Sequence, residues 1–331
     1  MKLPVDSTIP FRLLYLPSLA RDVIFLQMST EELYHLSKLS RRSRYAVKMF
    51  TCRQMYDFNI IAEESYCSFE ISNRLEGKTF YRVLTSMGFR DSIFYVSYIT
   101  YHSEDFWATT KEEIALFFDV FTRKVKFLNF TDITKITKIT ELLKENMVLS
   151  VDFVRYHVRE IDDEIYKYVL REFKDAKKLN IGASTSAYFR FDDMEPFTGD
   201  DISIKDTDWL TVDHLTRCFT NVEKVWLWTD SRRCLNVFVF NQFLNAWING
   251  LRVGKLDLEC ACTNFYWQSI FWNVPTTEVK RVKVGNWKRV FDDGKCFLIR
   301  QEGSGVEALV YFCRWLSFTT NFQLLRDDET Y

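Results

Sequence analysis

The stretch FRLLYLPSLARDVIFLQMSTEELYHLSKLSRRSRYAVK, Phe11 to Lys48, decides how the start of the chain is read. Leu16-Pro17 opens a helix, because proline fits a first turn where its missing N–H has no partner to lose. Leu19, Val23, Ile24 and Leu26 follow as an apolar stripe at helical spacing. Ser29-x-x-Glu32 is a capping box, in which the serine side chain takes the third helical N–H and the glutamate reaches back. Leu33, Leu36, Ser37 and Ser40 share one face of the helix so started, and the small serines admit a close neighbour. Arg41, Arg42, Arg44 and Lys48 then cluster. They read as a solvated face near a helix C-terminus, where the helix dipole favours cations. The segment is a small bundle of three helices. Fewer than about 50 residues cannot enclose so many large apolar side chains and stand alone, so some must face a partner or the rest of the chain.

Working outward, residues 54 to 107 are rich in Tyr, Phe, Ile, Val and Ser and read as short strands, among them Tyr56–Ala62, Phe69–Ser72 and Ile93–Tyr101. Helices follow at Lys111–Phe121, Thr131–Glu145, Asp163–Phe173 and Val237–Asn249. Each has apolar residues three and four apart, and Gly250 is a natural stop for the last. Between them a basic–apolar–polar–apolar pattern recurs: Lys124–Phe127, Lys178–Ile181 and Lys255–Leu258, with looser versions at Lys224–Leu227 and Arg281–Val284. Alternation at period two makes each a strand with one buried face. Strand–helix–strand order suits right-handed crossovers and a parallel sheet, the logic of a leucine-rich-repeat-like solenoid. Uneven spacing makes the repeat irregular, and so short a pattern also recurs by chance in α/β proteins. Near the end, Asp293-Gly294 reads as a hairpin turn and Gly303-Ser304-Gly305 as a second turn. With Lys288–Phe291, Cys296–Arg300 and Ala308–Cys313 around them, this is an antiparallel meander.

Composition narrows the function classes. The 331 residues carry 44 Lys and Arg against 45 Asp and Glu, a net charge of −1, which argues against a general nucleic-acid binder. No apolar run reaches the roughly 20 residues that a membrane helix needs. Phe11–Ala20 is not a signal core, since Arg12 and Pro17 interrupt it. The eight cysteines include no Cys-x-x-Cys, so reduced thiols in the cytoplasm or nucleus are expected. Cys260 and Cys262, on one face of a strand, read as core rather than as half a metal site. His35, His102, His157 and His214 are scattered, and no nucleotide-binding glycine motif or nucleophile elbow occurs. The acid pairs Asp162-Asp163, Asp192-Asp193, Asp200-Asp201 and Asp327-Asp328 read as loop and helix-start residues.

The opening segment resembles an F-box in the form found in the large nematode F-box families. Phe11, Leu13, Leu14, Leu16 and Pro17 match, as do Val23, Ile24, Met28, Glu32, Leu33, Leu36, Ser37, Ser40 and Arg42. Arg12 and Thr30 stand where prolines are usual. The remainder resembles the F-box-associated type 2 domain of those families, through Phe243-Leu244, Trp247, Gly250, Asp293-Gly294-Lys295, Phe312 and Trp315; Phe297-Leu298 replaces its Ala-Thr.

The resemblance implies a non-catalytic substrate adaptor of an SCF-type cullin ubiquitin ligase. The F-box-like domain would span 8–52 and the mixed α/β substrate domain 54–331. Leu13, Leu16, Pro17, Leu19, Val23, Ile24, Met28 and Leu33 would dock on the Skp-type adaptor, and the second domain would bind a protein substrate. No cofactor, metal, nucleic acid or membrane is implied. Trp226 and Trp228 are candidates either for the recognition surface or for the core. Two other readings remain: a repeat-type scaffold without ligase coupling, and an enzyme whose site the motifs do not reveal.

Overall fold

A computed structural model describes residues 12–52, 56–63, 66–74, 79–85, 99–102, 105–122, 124–148, 150–158, 162–228, 237–252, 257–260, 267–313 and 316–325. Phe11, residues 93–98 of the third expected strand, Cys234, Lys255, Leu256, Cys262, Trp315 and Asp327-Asp328 lie outside the described residues. The fold is mixed α/β, in two compact units: Met1–Leu128 with Thr134–Val151, and Asn129–Ile133 with Asp152–Tyr331. Residues 12–52 and the strands after them fall in the first of these units.

In the first unit a short 3-10 turn (Leu13–Tyr15) leads into α1 (Ser18–Gln27), α2 (Thr30–Leu39) and α3 (Arg41–Thr51). Strands β1 (Tyr56–Ala62), β2 (Tyr66–Asn73), β3 (Thr79–Thr85) and β4 (Ile99–His102) follow, then α4 (Phe106–Val120), β5 (Lys124–Phe130) and α5 (Ile133–Glu145). The strands lie in the order β5-β1-β2-β3-β4. Phe58 and Phe69 on β1 and β2 stack at 6.1 Å, and Phe117 of α4 meets them at 5.3 and 5.9 Å. The threonines of α5 are weak helix formers. Ile136, Ile139 and Leu143 are buried, and that packing overrides propensity.

The helices are fastened to α4 by polar contacts under this core. Glu113 accepts from Lys38 Nζ at 2.9 Å and from the hydroxyl of buried Tyr34, whose ring stacks on Phe117 at 5.2 Å. Lys48 pairs with Asp119 at 2.6 Å. The basic cluster sits differently from its sequence reading. Ser40 ends α2 and caps α3, with Ser43 N–H donating to Ser40 Oγ at 3.1 Å. Arg41, Arg42 and Arg44 thus begin a helix rather than end one.

The second unit starts with β6 (Ser150–Tyr156), α6 (Asp163–Glu172), β7 (Lys178–Ile181), β8 (Asp201–Lys205), β9 (Lys224–Trp228), α7 (Val237–Ile248) and β10 (Asp257–Cys260). These five strands pair in parallel and in this order. Lys178 faces Asp201 and Asp201 faces Lys224, a step of 23 residues each time. That lies within the period of leucine-rich repeats, about 20–29 residues. Val154, Leu179, Ile202 and Val225 form one inward row, and Tyr156, Ile181, Ile204 and Leu227 the next; all eight are buried.

Each unit must return close to its neighbour, and glycine allows it. A Cβ on Gly199, two residues before β8, would lie 2.1 Å from the carbonyl oxygen of Ala176. The backbone there is tied down, with Asp200 and Asp201 N–H both donating to Lys177 O at 2.8 and 3.0 Å. Asp200 O in turn accepts from Lys224 N–H at 2.9 Å, which links three consecutive strand starts.

The remaining strands are β11 (Thr277–Glu278), β12 (Arg281–Val284), β13 (Trp287–Val290), β14 (Cys296–Arg300), β15 (Glu307–Phe312), β16 (Leu316–Thr319) and β17 (Phe322–Leu324). β16 pairs with β10 antiparallel, and β15, β14 and β11 continue from it in that order. Arg281–Val284 is not a rung of the parallel ladder, because β12 pairs with β13 and β17 in a separate three-stranded sheet. Asp293-Gly294 is likewise no hairpin turn, since it joins β13 and β14, which belong to different sheets. The tight hairpin is at Gly285-Asn286, between β12 and β13, where Gly285 has φ +56°. Gly303-Ser304-Gly305 does turn β14 into β15.

Candidate interaction surfaces

Two surfaces stand out, one in each unit. The first is α1. Its inward residue, Phe25, is fully buried and meets Phe50 of α3 edge-on at 5.5 Å. Its outward residues Leu19, Val23 and Leu26 follow at helical spacing and are 78%, 60% and 45% exposed. The capping box forms as expected and fixes the turn after α1, with Ser29 N–H donating to Glu32 Oε2 at 2.7 Å and Glu32 N–H to Ser29 Oγ at 3.2 Å. Exposed Tyr15 in the preceding 3-10 turn carries the Arg42 guanidinium 4.1 Å from its ring centroid. Arg42 also donates to Leu14 O at 3.4 Å, so the 3-10 turn is pinned to α3.

Of the residues expected to meet a partner, Leu19, Val23 and Pro17 are exposed, and Leu13, Leu16, Ile24 and Met28 are half-buried. Leu33 is only 2% exposed, and it faces the interior of its own unit. Its place on the apolar side of α2 made it resemble a docking residue, but that side packs inward. Leu26 of the apolar stripe is exposed as well, and so are Tyr45 and Met49 on α3, which the sequence reading does not single out. Their signal was the same helical spacing, four residues apart on α3.

The second surface is the outward side of the parallel ladder. Because side chains alternate along a strand, Arg155, Asn180, Ser203 and Trp226 line up opposite the buried rows. Beyond them, toward the strand ends, come His157, Gly182, Lys205 and Trp228. Trp226 is 41% exposed although Val225 and Leu227 beside it are buried. Trp228 is half-buried on the same side, so neither tryptophan belongs to the interior row. The Trp228 indole N–H donates to Ser203 Oγ at 3.2 Å, and Lys205 Nζ lies 5.4 Å from the Trp228 ring centroid. The His157 imidazole rests against Gly182, where a Cβ would come within 2.7 Å of it.

His214 is buried. Thr211 N–H donates to its Nδ1 at 3.1 Å, so the ring proton is on Nε2, which donates to Phe191 O at 2.7 Å. Burial holds its pKa below the usual histidine value against the raising effects of that hydrogen bond and of Asp213 and Asp192. Burial also pushes the thiols of Cys67, Cys218 and Cys296 up to about 12, 11 and 12. Such thiols stay protonated near neutral pH and are poor nucleophiles. Asp57 is the opposite case. Burial opposes its ionisation, but hydrogen bonds and charge from Arg74 and Lys126 outweigh burial and lower its pKa.

Asp162 caps α6, Asp163 accepts from Ser186, and Asp193 lies 3.3 Å from Arg171. Among the described residues no group of three metal-ligating side chains forms, and no helix is long and apolar enough to cross a membrane. No protein-family model, no curated protein and no solved structure matches the chain.

Proposed function

We propose that the chain is a non-catalytic substrate adaptor of an SCF-type ubiquitin ligase, working in the cytoplasm or nucleus. In this reading α1 and the 3-10 turn before it dock on a Skp-type adaptor, and the second unit, as an irregular leucine-rich-repeat-like body, holds a protein substrate. The observation that carries it is the apolar stripe Leu19, Val23 and Leu26, left in solvent on a helix whose other side is locked by Phe25. Such a stripe costs solubility unless something covers it. Each such side chain is worth about 1.5–3 kcal/mol when fully buried, and association consumes several kcal/mol of the total. Leu19, Val23 and Leu26 with half-buried Leu16, Ile24 and Met28 suffice for a stable complex. The F-box-like order of these residues names the partner.

The test is co-purification of the full chain with a Skp-type adaptor. Wild type is expected to retain it, and Leu19→Asp with Val23→Asp to lose it while keeping its melting temperature. Equal retention by both, or by neither, refutes the docking. A repeat-type scaffold without ligase coupling is the second reading, favoured by the 23-residue register of β7, β8 and β9. It would stand if the wild type bound no Skp-type adaptor and yet captured a protein through the ladder.

A further inference from the structure

We propose that the outward side of β6 to β9 binds an extended acidic segment of a partner protein, with an aromatic residue of that segment resting on Trp226. That this segment belongs to the ligase substrate rests on the adaptor reading; the binding itself does not.

The argument starts from the pleat. Inward rows are used by the core, whereas the outward side chains lie on the opposite side of the ladder. Across β6 to β9 those two rows read Arg155, Asn180, Ser203, Trp226 and His157, Gly182, Lys205, Trp228. They contain two fixed cations, two tryptophans and no carboxylate. Neighbouring strands are about 4.8 Å apart, so a row of four spans roughly 14 Å, the length of about four extended residues. The surface is pre-set rather than floppy. Trp228 is held by its hydrogen bond to Ser203, and Lys205 lies against the Trp228 ring. Ordering costs on binding are accordingly small. Gly182 contributes no side chain, so the second row is shallow where His157 rests.

Charge chooses among ligands. Arg155 and Lys205 favour an anionic segment, and the bordering first row alternates sign, with Lys178 3.6 Å from Asp201 and Lys224 next in register. An unbroken phosphate backbone needs a continuous basic track. Spaced acids of a peptide fit an interrupted one, and the net charge of −1 disfavours nucleic acid further.

The test uses the full chain and a labelled random glutamate–tyrosine copolymer, with oligo-uridine RNA and polylysine as comparisons, read by fluorescence anisotropy. Wild type is expected to bind the copolymer and neither comparison. Arg155→Glu with Lys205→Glu is expected to weaken binding by about tenfold or more, steeply dependent on salt. Trp226→Ser is expected to weaken it and Trp226→Phe to restore most of it, which a folding defect would not do. Copolymer binding unchanged by these substitutions, no binding by wild type, or tighter binding of RNA overturns the proposal. The Leu19→Asp, Val23→Asp chain is expected to bind copolymer like wild type. If wild type captures no Skp-type adaptor yet binds copolymer through Arg155 and Trp226, the ligase reading falls and this one stands.

Discussion

Replacing Gly199 by alanine tests the stacking of the ladder most directly. Its Cβ would sit 2.1 Å from the Ala176 carbonyl oxygen, whereas carbon–oxygen contacts settle at about 3.3 Å or more. The backbone must therefore open by about 1 Å at a point where Asp200 and Asp201 both hydrogen-bond to Lys177. Overpacking of this kind costs about 1–3 kcal/mol, and the reduced freedom of the unfolded chain returns about 0.4–1 kcal/mol of it. A net loss of about 1–2 kcal/mol lowers the melting midpoint by roughly 2–8 °C for a unit of this size. Gly182→Ala is the control. Its clash is with the His157 imidazole, a side chain that can be removed. Differential scanning fluorimetry of Gly182→Ala, with and without His157→Ala, is expected to show rescue by the second change. No side-chain truncation is expected to rescue Gly199→Ala, because its obstacle is backbone. A Gly199→Ala midpoint within about 1 °C of wild type would refute the close approach.

Three further outcomes follow from the buried groups. His214 has a folded-state pKa below its unfolded value, so its contribution is complete above about pH 6.5 and is lost as pH falls below that. Urea midpoints are expected to drop on acidification through this range, with a shallower slope for His214→Gln. Asp57, lowered by Arg74 and Lys126, contributes above its unfolded pKa of about 3.9 and loses that contribution in acid. Asp57→Asn is expected to cost about 1–3 kcal/mol at pH 7 by chemical denaturation, with the difference shrinking toward pH 3. Glu113→Ala, which removes the acceptor shared by Tyr34 and Lys38, is expected to destabilise the first unit by a similar amount and to increase amide exchange in α2.

Much of the secondary structure was legible in local patterns, and the exceptions have identifiable causes. Pro17 and the Ser29–Glu32 box marked the first two helices, and β1 was readable from Tyr56 to Ala62. Ser40 reads in sequence as a helix-face residue rather than a cap because its reciprocal partner is Ser43, not the acid or amide that usually signals a box. β8 escaped because Asp201 stands where its neighbours β7 and β9 have Lys178 and Lys224. The single interval from Lys178 to Lys224 was really two equal steps. Periodicity located the apolar stripes but not their direction. Leu19, Val23 and Leu33 read alike in sequence, and only packing distinguishes the exposed pair from the enclosed residue. The Glu113, Tyr34 and Lys38 contacts were invisible for another reason. They join residues 75 and 79 positions apart, with no motif linking them. Arg281–Val284 shows the converse error, a strand read correctly and assigned to the wrong sheet because short patterns carry no pairing information.

Constant register between β7, β8 and β9 has an evolutionary consequence. A substitution at Asn180, Ser203 or Trp226 changes one tile of a flat mosaic while the residues that hold the strands together lie on the reverse side. Such positions can drift in sequence, redrawing one side of the ladder a tile at a time, without renegotiating the fold.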